Sequence, residues 1–386
     1  MRARSHIVYT ITVIGFIFTL QVVIPTYSNS SFLDLFADPQ TLGFIYMASA
    51  AASIFVYLIA TSLIRSLGNY TTVILAICIQ IALFYGLIST TAPETLALLF
   101  ITQTAVSVLI GLCIDIFLEV YTDGSNIGTI RGLFGASLNA AWVVGPLIGS
   151  MLIGQSENFR NTYVASLAML FPLLYLVYRN FPCFRDPNYS HLSPWQLTRH
   201  ISTDKDLMRL IMANLVLQTF YSWMVVYSPI YLNKVIGFSW EEIGIILVIM
   251  LLPFPLIQYH LGRLADKKYG EKEIMAIGFA IMGISTMFLS FTTVKSILVW
   301  SILLFITRIG AAAAEIMMET YFFKTVSTRD TAVLGSYRMT RPLSYFIAPL
   351  IMMFGLLVTT QQYMFAIVGL LSLIGIYPAL RIRDTK

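Results

Sequence analysis

The sequence predicts an all-α membrane protein, with twelve transmembrane helices in two pseudo-symmetric six-helix bundles. Three observations carry this. Hydrophobic residues make up 58% of the 386-residue chain and charged residues only 11%, whereas soluble domains carry about a quarter charged residues. Apolar stretches of the roughly 20 residues that a helix needs to cross a bilayer recur along the whole chain. Short motifs repeat at offsets of 200 to 204 residues.

The apolar stretches are twelve: 6–28, 41–63, 70–89, 95–120, 131–154, 161–178, 210–232, 242–261, 273–292, 296–320, 335–358 and 361–380, numbered spans 1 to 12 in chain order. None shows the period-two alternation over about ten residues that a membrane β-barrel strand requires. Arg2 and Arg4 precede span 1 in the manner of a signal peptide. The apolar run from His6 to Ser28 is long for such a peptide and is not followed by a small-residue cleavage site, so it is read as the first span. The longest segment between spans, 179–209, is charged and proline-containing and divides the spans six and six. It is expected to be a cytoplasmic linker between an N-terminal half, 1–178, and a C-terminal half, 210–386. The three cysteines, Cys78, Cys113 and Cys183, lack metal-ligand spacing and read as packing residues.

Basic residues set the expected orientation. With the N-terminus inside, 20 of the 24 Lys and Arg residues fall on inner segments, and Arg160, Lys234 and Lys295 on outer loops. Arg308 lies within a span. Both termini are therefore expected on the cytoplasmic side of the cell membrane. The net charge of +5 reflects this topology and does not call for a nucleic-acid partner.

The repeat is visible at three places. Pro25-Thr26-Tyr27-Ser28-Asn29 after span 1 matches Pro229-Ile230-Tyr231-Leu232-Asn233 after span 7. Asp115 to Thr122 at the end of span 4 matches Glu315 to Phe322 at the end of span 10, and Gly145-Pro146-Leu147-Ile148 in span 5 matches Ala348-Pro349-Leu350-Ile351 in span 11. Three matches in chain order point to a duplicated six-helix unit. Two parallel halves related by an axis along the membrane normal are a known transporter plan, with substrate held near the midplane.

After span 8 the chain reads Gly262-Arg263-Leu264-Ala265-Asp266-Lys267-Lys268-Tyr269-Gly270-Glu271-Lys272. This resembles the G-x-L-A-D-[RK]-x-G-[RK]-[RK] loop signature of the major facilitator superfamily. The glycine allows a tight turn between helices, and Asp266 is placed to pair with basic groups or cap a neighbouring helix. Such pairing would latch two helices on the inner face. The matching first-half loop, Arg65-Ser66-Leu67-Gly68-Asn69-Tyr70, keeps its glycine but lacks the Asp. Span 5 carries Asn139-Ala140-Ala141-Trp142-Val143-Val144-Gly145-Pro146-Leu147-Ile148-Gly149. Its G-P-x-x-G portion is similar to an element of the drug-exporting antiporter branch. Glycines four apart also let helices approach closely in any membrane bundle, and proline loosens the hydrogen-bond ladder.

Ionisable groups inside a bilayer cost about 2.5–3.5 kcal/mol each on insertion scales, so each calls for a reason. Five stand out: Asp115 and Glu119 on span 4, and Arg308, Glu315 and Glu319 on span 10. Each acidic pair is spaced i, i+4 and shares a helix face. Arg308 and Glu315 share a face but lie about 10 Å apart along the axis, too far for direct contact without a bridge. With spans 4 and 10 running outside to inside, Arg308 falls near the midplane. Asp115 and Glu315 then fall in the inner third and become candidates for proton coupling, with Arg308 the candidate contact for substrate or coupling carboxylate. Glu119 and Glu319 fall near the inner surface, where pairs with Arg131, Arg338 or Arg341 would close a gate. Gln21, Gln103, Asn139, Trp142, Gln218, Tyr221, Trp223 and Tyr227 are polar or aromatic residues available to a cavity, and most such residues simply face other helices or the interfacial belts.

No glycine-rich phosphate loop followed by Lys-Ser/Thr is present, which argues against ATP-driven transport by this chain alone. No metal-binding helix motif and no hydrolase pair appear either, so no enzyme activity, metal or cofactor is expected. The expected function is secondary active transport of a small molecule by alternating access, coupled to protons, in the manner of a drug-efflux antiporter. Proton-coupled uptake of a polar nutrient is the alternative within the class. A membrane-embedded enzyme or lipid-handling protein on a carrier fold is the alternative outside it. The expected partners are substrate, protons and the lipid bilayer, with the chain acting as a monomer.

Overall fold

The computed structural model describes residues 2–121, 127–155, 157–187, 204–257, 270–325 and 331–383. Among these, all regular structure is helical. Twelve helices are long and apolar enough to cross a membrane: His6–Thr26, Pro39–Leu67, Asn69–Ser89, Pro93–Tyr121, Leu133–Ile153, Arg160–Asn180, Lys205–Val235, Trp240–Ile257, Glu271–Leu289, Ile297–Phe322, Tyr337–Leu356 and Gln361–Arg381. They correspond in order to spans 1 to 12. The chain divides into two compact units, Met1–Tyr189 and Ser190–Lys386. Helix continues through Asn180 and resumes at Lys205. The Gly262, Asp266 and Lys267 portion of the loop signature lies outside the described residues, whereas Gly270 stands at the N-terminus of span 9.

In the first unit, span 2 begins on a strong cap. Asp38 Oδ1 accepts the backbone N–H groups of Gln40 and Thr41 at 2.9 and 3.0 Å, and Oδ2 accepts the Thr41 hydroxyl at 2.8 Å. The bond from the Thr41 backbone leads in holding this exposed carboxyl below the usual carboxylate range. Pro39 follows at the first helical position, where its missing N–H leaves nothing unsatisfied. Spans 2 and 3 meet at Gly68, whose φ of +82° favours glycine. The next residue, Asn69, donates its N–H to Asp186 Oδ1 at 2.9 Å and its side-chain amide to the Cys113 carbonyl at 3.0 Å. Span 3 is thereby tied to span 4 and to the chain following span 6.

The glycine pair of span 5 faces span 1. A Cβ at Gly145 would sit 2.6 Å from Val23 Cγ1. At Gly149 it would overlap the Ile24 carbonyl oxygen, which belongs to rigid backbone. Close approach of spans 1 and 5 therefore requires glycine at both positions. At the other end of span 3, Arg160 donates to the carbonyls of Ile88 and Thr90, the latter at 2.7 Å. A cation there meets carbonyls that a helix C-terminus leaves without partners.

The second unit repeats this logic with different side chains. Asp204 accepts the N–H groups of Asp206 and Leu207 at the start of span 7, at 2.9 and 3.1 Å. Ser239 and Glu242 form a reciprocal capping box at the start of span 8. Span 7 ends in a π-helical turn, Tyr231–Val235. Spans 9 and 10 cross at Gly278 and Gly310, where a Cβ on Gly310 would lie 2.6 Å from the Gly278 carbonyl oxygen. Span 9 is anchored by Glu271, only 2% exposed, which pairs with Lys324 of the span-10 helix at 2.6 Å. An aromatic cluster links spans 7, 10 and 12: Phe365 stands edge-on to Trp223 and Tyr231 at 5.1 and 5.0 Å, and Tyr231 lies 5.9 Å from Trp300.

Candidate functional site

Span 10 places one face against span 9 and a different one toward span 7. Gly310 and Ala314 lie on the first face, where small side chains permit backbone contact with Gly278. Arg308 and Glu315, seven residues apart, share the second. Arg308 is 2% exposed, and Glu315 is half-buried.

Tyr221 of span 7 joins the two. Its hydroxyl donates to Glu315 Oε2 at 2.9 Å. Its ring lies 5.1 Å from the Arg308 guanidinium carbon, and the ring of Phe220 lies 5.2 Å from the same atom. One side chain thus spans the two-turn gap that prevents Arg308 and Glu315 from touching. The sequence placed Tyr221 in a group expected mostly to face neighbouring helices or membrane interfaces, so its role as the bridge emerges only in three dimensions.

Span 11 contributes the other cation. Arg341 acts electrostatically on Glu315 and is hydrogen-bonded to Tyr345. Glu319, one turn beyond Glu315, is exposed and lies within reach of Arg338. Both arginines of span 11 therefore act on the acidic face of span 10, Arg341 on Glu315 and Arg338 on Glu319. Asn214 of span 7 donates to Thr340 Oγ1 at 2.7 Å and fixes spans 7 and 11 beside this group.

Aromatic faces satisfy only part of what a guanidinium needs. Arg308 Nε and Nη2 are buried and without a hydrogen-bond partner. Cation–π contact engages the face of the group, while the N–H donors lie in its plane. Buried donors left in this condition cost about 1–3 kcal/mol, more for charged groups.

The matching region of the first unit differs. Asp115 is half-buried and Glu119 exposed, as are their counterparts Glu315 and Glu319. The side chain of Arg131 lies outside the described residues. At the 200-residue offset Val108 stands where the second half has Arg308, and at the 204-residue offset Ile17 stands for Tyr221. Neutral side chains join the middles of spans 3 and 4: Gln80 Nε2 donates to Gln103 Oε1 at 3.3 Å and to Ser107 Oγ at 2.8 Å. Trp142 stands edge-on to Tyr27 at 6.4 Å, and Asn139 lies half-buried one turn before it. Gly145 and Gly149 serve the contact with span 1, and Pro146 is buried between them.

Among the described residues, no group of His, Cys, Asp and Glu is arranged to hold a metal ion. No curated protein matches this sequence at significance. A solved structure described as a bacterial homolog of the human lysosomal transporter Spinster, in an inward-facing and unoccupied conformation, superposes with a TM-score of 0.70 at 12% identity. It covers 98% of this chain and 93% of its own, and at that identity the likeness speaks for the fold. The family model of the Major Facilitator Superfamily matches residues 9–267 and 241–386. A match of this extent, on a chain with twelve apolar helices, decides the family: the chain belongs to the major facilitator superfamily and is a secondary transporter.

Proposed function

We propose that the chain couples movement of a small amphipathic molecule to protons, with Glu315 as the coupling carboxylate and export as the direction. The observation that carries the reading is the Tyr221–Glu315 hydrogen bond at 2.9 Å, made inside a membrane-crossing bundle. A carboxylate there joins spans 7 and 10 and feels Arg308 and Arg341. Loss or gain of one proton at this point changes what three spans offer one another. Alternating access requires such a group to interact differently in its two states. Export rests on the span-5 element Asn139, Trp142, Gly145, Pro146 and Gly149, together with the supply of aromatic side chains. The buried Arg308 favours the second reading, proton-coupled uptake of a polar solute.

The test is transport in proteoliposomes with an imposed pH gradient and a broad substrate panel. Proton coupling predicts accumulation that collapses when an ionophore dissipates the gradient, and its sign assigns the direction. Accumulation indifferent to the gradient would exclude protons as the driving ion. The orientation belongs to the same proposal, with both termini and the 179–209 segment in the cytoplasm. A cysteine at position 195 should resist impermeant thiol reagents in intact cells and react in inverted membranes. Labelling from outside intact cells would reverse the topology.

A further inference from the structure

We propose that the Nε–Nη2 edge of Arg308 recognises a carboxylate on an amphipathic substrate. This rests on the transport reading above and narrows its substrate class. Four observations converge on it. Arg308 sits within span 10 at 2% exposure, where a cation is expensive to keep. Phe220 and Tyr221 cover the guanidinium at 5.2 and 5.1 Å, so the face of the group is already engaged. The two buried donors without a partner are Nε and Nη2. Those two N–H groups lie side by side along one edge of the plane, spaced for the two oxygens of a single oxyanion.

The protein's own carboxylate on this face does not occupy that edge. Glu315 lies seven residues further along the helix and is bonded to the Tyr221 hydroxyl. A carboxylate and a phosphate both fit two parallel donors, but the surroundings separate them. Aromatic rings over a single buried cation suit one negative charge with a hydrophobic body, whereas a doubly charged head would bring a second charge to be desolvated. The aromatic cover adds a reason for arginine over lysine, since only a planar group stacks on rings and still presents paired donors in its plane.

The experiment is equilibrium binding to the purified full-length protein in detergent, by calorimetry, with two probe pairs: 2-naphthoate with 2-naphthamide, and decanoate with decanamide. Each acid should bind at least about tenfold more tightly than its amide, the scale set by a bidentate charge-assisted pair. R308K keeps the charge but loses the paired donors, and should weaken acid binding about tenfold while leaving amide binding nearly unchanged. R308Q should abolish the preference for acid; if it fails to remain monodisperse, R308K alone decides. Equal binding of acid and amide, no binding of either acid, or unaltered acid affinity in R308K would overturn the proposal. Binding in detergent needs no gradient, so its failure leaves coupling through Glu315 untouched. Conversely, an E315Q protein that couples normally yet prefers the acids would overturn the coupling reading and leave this one standing.

Discussion

The two halves share a scaffold and differ in their chemistry. In both, the third helix of the unit is tied to the fourth near its start, by the Asn69 amide on the Cys113 carbonyl in one and by Glu271 with Lys324 in the other. Both also use glycine to bring helices into backbone contact, at Gly149 on span 1 and at Gly310 on span 9. The polar groups on spans 4 and 10 then diverge. Span 10 carries a buried arginine and a carboxylate linked through Tyr221, whereas Val108 and Ile17 stand at the positions of the first half that correspond to Arg308 and Tyr221. Packing devices of the same kind recur in both units, whereas the Arg308–Tyr221–Glu315 group belongs to the second.

That asymmetry is open to attack at specific positions. Tyr221→Phe keeps the ring over Arg308 and deletes the hydroxyl that reaches Glu315, so its effect is expected to exceed that of any packing change. Loss of one hydrogen bond to a charged group, about 1.5–3 kcal/mol, corresponds to roughly a 10- to 100-fold drop in gradient-driven rate. Exchange at equal concentrations should survive. A rate within twofold of the parent would show that the bridge is dispensable and dissolve the contrast between the halves. A smaller effect is expected from Gly149→Ala, because the added methyl would overlap the Ile24 carbonyl. Overpacking of this kind costs about 1–3 kcal/mol, readable as a lower unfolding midpoint in detergent. Gly135→Ala, on the same helix and with no atom within 4 Å of the added Cβ, should leave that midpoint unchanged or slightly raised. If the two alanine variants behave alike, the shared-scaffold half of the comparison fails.

Much of this architecture was legible in the chain. Twelve apolar stretches forced the helical bundle, because a bilayer admits no other use for them. The acids and arginine of span 10 drew notice because charge in a membrane is costly. Tyr221 did not, because one tyrosine among 21 carries no mark of its partner until spans 7 and 10 are brought together. The assignment of Arg341 to Glu315, with Arg338 left to Glu319, was likewise invisible: both arginines lie near the start of span 11, and helix rotation alone decides which acid each meets. For the span-5 glycines, residue type announced close approach, while the partner helix came only from the fold.

The central claim is that coupling resides in the second half, at Glu315. It is tested most directly by measuring pH-gradient-driven accumulation beside equilibrium exchange for Glu315→Gln and Asp115→Asn in the same liposome preparation. The account predicts that Glu315→Gln loses accumulation and keeps exchange, while Asp115→Asn shows a weaker loss of accumulation. Full gradient-driven accumulation by Glu315→Gln, or a greater loss in Asp115→Asn, would contradict it.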